Sequence, residues 1–143
     1  MTSALQSAAN GTTPLIVNPS HLHDPRPNGY STAVVTPAIG RLAFISGQGG
    51  QNQTGELSTD FNAQVAQAYA NLAAVLDALG ARADQVIKLT VFVVDHDMSK
   101  LGVLTEAAMR MFGHTLPAQT LVPVPKLAID AMLFEIEAVA VLD

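Results

Sequence analysis

A chain of 143 residues has room for one domain and not two, since domains of about 100 to 150 residues are the commonest. Apolar residues make up 49% and charged residues 13%, well short of the ~25% charged usual for soluble domains, so an oligomer that buries apolar surface is expected. Cysteine is absent, which excludes disulfides, thiolate catalysis and Cys-type zinc sites, and seven Lys/Arg against twelve Asp/Glu, a net charge of −5, disfavours nucleic acid as a partner.

Residues 1–29 carry Pro14, Pro19, Pro25, Pro27, Asn18, Asn28 and Gly29 with little periodicity, and read as an N-terminal arm. Their first segment has neither the basic cluster nor the apolar run of a secretory signal. No stretch reaches the ~18 apolar residues of a membrane span, which leaves the cytoplasm as the expected compartment. Residues 30–143 read as a single domain. It opens with two apolar runs, Ser31 to Val35 and Arg41 to Ser46, joined by a Pro- and Gly-containing turn, which predicts a β-hairpin. Gly47 to Leu57 is a polar, Gly-rich loop, and Ser58 or Thr59 is placed to cap the helix that follows.

That helix is the clearest element. Phe61, Val65, Ala68, Tyr69, Leu72, Val75, Leu76 and Leu79 recur at steps of three and four, and Gly80 stops it. Val86 to Val94 is a β-branched run expected as a central strand covered on both faces. A second helix is predicted from Met98 to Phe112, capped by Asp97 or Ser99. Pro117 to Lys126 reads as extended, with Pro123 and Pro125 arguing for an edge. Met132 to Val141 closes the chain as a strand. The order ββαβαββ gives an α+β fold, a mixed sheet with two helices on one face. The other face needs a cover, and a closed ring of identical subunits would supply it.

Several short segments in this order resemble the Rid (YjgF-type, L-PSP endoribonuclease-like) family. They are Asn18-Pro19, Gly29-Tyr30-Ser31, Phe44-Ile45-Ser46-Gly47-Gln48, Thr54-Gly55-Glu56, Lys88-Leu89-Thr90-Val91-Phe92-Val93, Leu116-Pro117-Ala118 and Phe134-Glu135-Ile136-Glu137-Ala138-Val139-Ala140. The resemblance implies a chorismate-mutase-like subunit, a homotrimer, and small-molecule sites in the clefts between subunits. It also implies hydrolysis of reactive imines or enamines to a ketone and ammonia, with no metal and no organic cofactor.

Such hydrolysis needs a group that places and deprotonates water and a proton for the departing nitrogen. Glu135 matches the family's strand carboxylate and is the catalytic candidate; its alternative is a surface carboxylate or an ion pair with Lys88. Glu137, two residues on, shares its face and reads as structural, pairing Lys88. Gly47 offers backbone groups to a ligand at close range, flanked by Ser46 and Gln48, and Tyr30 matches an aromatic lid. Gln119 stands where the family's deaminases carry an arginine that grips the substrate carboxylate. Leu121, where many members have cysteine, and Gly113, where many have asparagine, make the cleft more apolar. Poor handling of 2-iminopropanoate is therefore expected, unless Lys126 or Arg26 restores the charge. The alternative function is a non-catalytic trimer that binds a small metabolite, and RNA cleavage fits the acidic balance least.

Two further signals are weak. His21 and His23 lack a third metal-ligand partner at a recognisable spacing. Gly47-Gln48-Gly49-Gly50 lacks the Lys-Ser/Thr of a phosphate loop and reads instead as a flexible loop at the cleft mouth.

Overall fold

The structure is a computed structural model that describes residues 14–36 and 40–143. Strands are β1 (Leu15–Val17), β2 (Ala33–Val35), β3 (Arg41–Gly49), β4 (Val86–Val94), β5 (Ala118–Val124) and β6 (Phe134–Leu142); helices are α1 (Phe61–Ala78) and α2 (Leu101–Phe112). The α+β class is the expected one, with one short extra strand, β1, in the arm.

Alternation explains the central strand. Leu89, Val91 and Val93 of β4 are fully buried, whereas Lys88, Thr90 and Phe92 between them are half-buried on the opposite face. The helices thus cover one face of β4 and not both, because its other face carries a lysine and a threonine. β4 sits inside a four-stranded sheet of order β3-β6-β4-β5, antiparallel to β6 and parallel to β5. The parallel step requires a crossover, which α2 provides. β5 is an edge strand, in keeping with Pro123.

The predicted hairpin does not form among the described residues. β2 pairs with β1 as a separate two-stranded ribbon, and β3 pairs with β6. The β-branched pair Ile16-Val17 gives β2 a partner inside the arm, and β6 offers β3 a longer apolar one. Pro37, Ala38 and Ile39 of the expected turn lie outside the described residues.

On α1 the stripe Val65, Ala68, Tyr69, Leu72 and Leu76 is buried against the sheet. Each of its Val and Leu side chains contributes roughly 1.5 to 3 kcal/mol when wholly removed from water. The helix cap is Asp60, not Ser58 or Thr59: its carboxylate accepts from the Ala63 N–H at 2.9 Å, while Ser58 Oγ accepts from the Asp60 N–H at 3.1 Å. Ser58 therefore orders the turn before the helix. Gly80, at φ +67°, ends it in the left-handed conformation glycine adopts freely. Buried Gln64 ties α1 to the start of β6: its amide donates to the carbonyls of Ser58 (2.7 Å) and Ala131 (2.9 Å) and accepts from the Leu133 N–H at 2.8 Å.

The second helix begins later than expected, because Met98–Lys100 forms a 3-10 turn ahead of it. Asp97 caps that turn by accepting from the Ser99 N–H at 2.8 Å, and the Ser99 hydroxyl beside it holds the Asp97 carboxyl below its ordinary range. The sheet face away from the helices stays open, with Leu42 47% and Phe44 77% exposed on β3. Among the described residues no helix is long and apolar enough to cross a membrane.

Candidate active site

β3 does not pair evenly with β6. Ile45 faces Ala138 and Gln48 faces Ile136, so Ser46 and Gly47 together stand opposite Glu137 alone. This is a β-bulge, which kinks a strand and re-aims its side chains. Beyond it Gly49 pairs with Glu135, and the carboxylate of Glu135 comes to lie over the bare backbone of Gly47. A Cβ on Gly47 would stand 2.6 Å from Glu135 Cδ, with the carboxylate oxygen closer still. Glu135 can occupy its position only because residue 47 has no side chain.

Around this pair opens a recess of about 640 Å³. Gly47, Gln48 and Glu135 line it, as expected, together with Gln51, Asn52, Gln67, Asn71 and Met132. Ser46 does not line it; its side is exposed and its carbonyl accepts from Gln48 Nε2 at 3.1 Å. Asn71 braces the floor, donating to the carbonyls of Gly49 (2.9 Å) and Gln51 (2.8 Å) and accepting from Gln67 at 2.9 Å. These carboxamides escaped the sequence reading. Their trace is the run Gln51-Asn52-Gln53 and two polar residues, Gln67 and Asn71, one helical turn apart on α1. The run Gly47-Gln48-Gly49, expected in a loop, belongs to β3.

The remaining candidates gather elsewhere. Tyr30, Gln119 and Leu121 line a second recess of about 360 Å³, shared with Asn28, Leu101, Leu104 and Thr105. Tyr30 is held there by its neighbour. The buried Ser31 donates its N–H to the Pro117 carbonyl at 2.9 Å and its hydroxyl to the Leu116 carbonyl, and it bridges Ala118 at the start of β5. Thr105 of α2 fixes the arm two residues before Tyr30 by donating to the Asn28 carbonyl at 3.0 Å. Gln119 Oε1 is buried and accepts no hydrogen bond among the described residues. Gly113, at the end of α2, lines neither recess.

The two recesses share no residue. The first opens where β3 and β6 meet and the second on β5, at the other edge of the sheet. Glu135 on β6 and Gln119 on β5 are two strand spacings apart, roughly 10 Å across the sheet, and are also offset along it, since Glu135 pairs with Phe92 and Gln119 with Leu89; they project to opposite faces.

Glu137 forms no ion pair with Lys88 among the described residues, and neither does Glu135. Register explains it: Lys88 lies opposite Val139 while Glu137 lies opposite Thr90, and Lys88 Nζ donates instead to Thr120 Oγ1 at 2.9 Å. Arg26 and Lys126 are engaged by Asp24 (2.9 Å) and Asp130 (3.5 Å) and line neither recess. Among the described residues no cluster of three or more His, Asp or Glu is arranged to hold a metal ion.

Two helices on one face of a mixed sheet define an α+β subunit, and similarity to known proteins places it more narrowly. The family described as Endoribonuclease L-PSP matches residues 23–142. A 2-iminobutanoate/2-iminopropanoate deaminase of Escherichia coli is 36% identical over 105 residues, 72% of this chain and 81% of that protein. A RutC family protein of Pyrococcus horikoshii is 37% identical over 119 residues, 81% of this chain and 90% of its own length. Among solved structures, a Rid-family protein of unknown function from Yersinia pestis superposes with a TM-score of 0.86 at 34% identity, covering 91% of this chain and 99% of that one. The chain belongs to the Rid (YjgF-type, L-PSP) family.

Proposed function

We propose that the protein works as a homotrimer with a small-molecule site at each seam, and that the site hydrolyses a small imine or enamine to a ketone and ammonia. One observation carries this reading: all the candidate residues but Ser46 fall into two recesses that share no residue and open at opposite edges of the sheet. Head-to-tail packing of copies, β3 edge against β5 edge, brings Glu135 and Gly47 of one subunit beside Tyr30, Gln119 and Leu121 of the next. A rotation that closes after three copies leaves no edge free. The open sheet face, with Phe44 and Leu42, then turns inward and is buried.

In such a seam Glu135 takes a proton from water as the water oxygen adds to the imine carbon, and returns it to the departing nitrogen. Gly47 leaves the approach to the carboxylate open, and Tyr30 closes over the ligand. The relationship to deaminases such as the E. coli relative supports the reaction type. Proton transfer by a placed side chain is worth about 100-fold or more, so Glu135→Ala should reduce ketone release from a panel of enzymatically generated imines by at least that factor. Equal rates for the two proteins would end the catalytic reading. The second reading, a trimer that binds a metabolite without turnover, is favoured by the missing arginine at Gln119, and ligand-induced thermal shifts without ketone release would select it. RNA cleavage has least support, since no Lys or Arg lines either recess.

A further inference from the structure

None of the seven Lys and Arg of the chain lines either recess. Arg26 pairs with Asp24, Arg82 with Asp84 and Asp143, Arg110 with Glu106 and Lys126 with Asp130. Lys100 donates to the Val94 and Asp95 carbonyls and lies over the Phe61 ring, and Arg41 reaches the Asp143 carbonyl. Lys88 touches Thr120, a residue of the second recess, but from the far side of the sheet: Leu89 and Gln119 face each other on the helix side, and Lys88 and Thr120 alternate away from them. Among the described residues the only carboxylate lining either recess is Glu135, and no Lys or Arg lines either one to balance it.

At the back of the second recess stands an amide. Gln119 Oε1 is buried without a partner, beside the apolar Leu101, Leu104 and Leu121. A carboxylate brought there loses its water and can accept from Gln119 Nε2 with one oxygen, but its other oxygen meets the Gln119 Oε1 acceptor and a leucine wall, a costly exchange without a counter-charge. A carboxamide meets its complement: its NH₂ donates to Gln119 Oε1 while its carbonyl accepts from Gln119 Nε2.

We infer that Gln119 is a specificity-determining residue that selects an uncharged carboxamide end on the substrate, so that the site takes 2-imino carboxamides in preference to 2-imino carboxylates. The inference rests on the seam reading above. The reaction it specifies balances as R–C(=NH)–CONH₂ + H₂O → R–CO–CONH₂ + NH₃. Water oxygen bonds to the imine carbon and one of its protons goes to nitrogen, giving a carbinolamine. The C–N bond then breaks with its electron pair on nitrogen, and the hydroxyl proton is carried to that nitrogen, leaving the ketone and ammonia. The carboxamide itself is unchanged.

The test uses the stable products. The full-length protein is titrated with 2-oxopropanamide and with 2-oxopropanoate, a pair differing only in amide against carboxylate, at one pH and ionic strength. The amide should bind at least about tenfold more tightly, a small part of what an unpaired buried charge loses. Gln119→Arg should reverse the preference, and Gln119→Leu should remove the amide's advantage over the carboxylate. Equal affinity, tighter carboxylate binding or binding of neither ligand in the unsubstituted protein would overturn the inference, whatever the variants do. A trimer with Glu135-dependent turnover that prefers the carboxylate refutes this inference alone, whereas a monomer, or turnover indifferent to Glu135, refutes the seam reading.

Discussion

Gly47 and Glu135 are 88 residues apart in the chain and share one volume. The arrangement makes a single methyl group a sharp probe. Gly47→Ala must push the Glu135 carboxylate aside, since the new Cβ falls within its van der Waals envelope. Imine turnover should fall by about tenfold or more, as misplacement of a reacting group by about an ångström does, while far-UV circular dichroism stays that of the parent. Full activity in the alanine variant would mean that Glu135 has another position available from which to work. Glu135 and Gly47 were both legible as candidates in the sequence, through the short segments that carry them. Their contact was not, because it depends on a bulge in which Ser46 and Gly47 together face Glu137, and neither strand records that register by itself. Gln119 was legible as an uncharged residue in an arginine's place. That no cation lines its recess required knowing where all seven had gone.

Periodicity settled the elements with a repeating buried stripe. The stripe of α1 was readable because side-chain burial repeats every three to four residues; β4 was readable as a β-branched run, but its burial alternates every two residues where cover on both faces was expected. Caps and strand partners were read less well. Ser58 and Thr59 are good capping types, but Asp60 lies closer to the first free N–H groups and takes the role. Asp60→Ala should therefore cost about 1 kcal/mol of stability in urea unfolding, and Ser58→Ala distinctly less; an equal loss from the two would assign the cap wrongly. The pairing of β2 was missed for a different reason. Proximity in sequence favoured β3, whereas a three-residue strand in a proline-rich arm shows no alternation long enough to notice.

At the level of the whole molecule the open sheet face is the dominant feature. A phenylalanine 77% exposed on a strand is an expensive surface for a monomer and an ordinary one for a subunit. Phe44→Glu should bring like charges together at the centre of the assembly, so light scattering should report a single-chain mass for the variant and a threefold larger one for the parent. Imine turnover should vanish with the assembly, since each half-site alone lacks its complement. A parent protein that elutes as a monomer would remove the basis for any seam.

In the proposed ring, a division of labour between sheet edges also gives each subunit a direction. In a closed ring every copy lends its acidic edge to one neighbour and its amide edge to the other. Damage confined to one edge then silences a single reaction chamber, while damage to both edges of one copy silences two. In a mixed ring, tolerance of a faulty copy is thus decided by which side of that copy carries the fault.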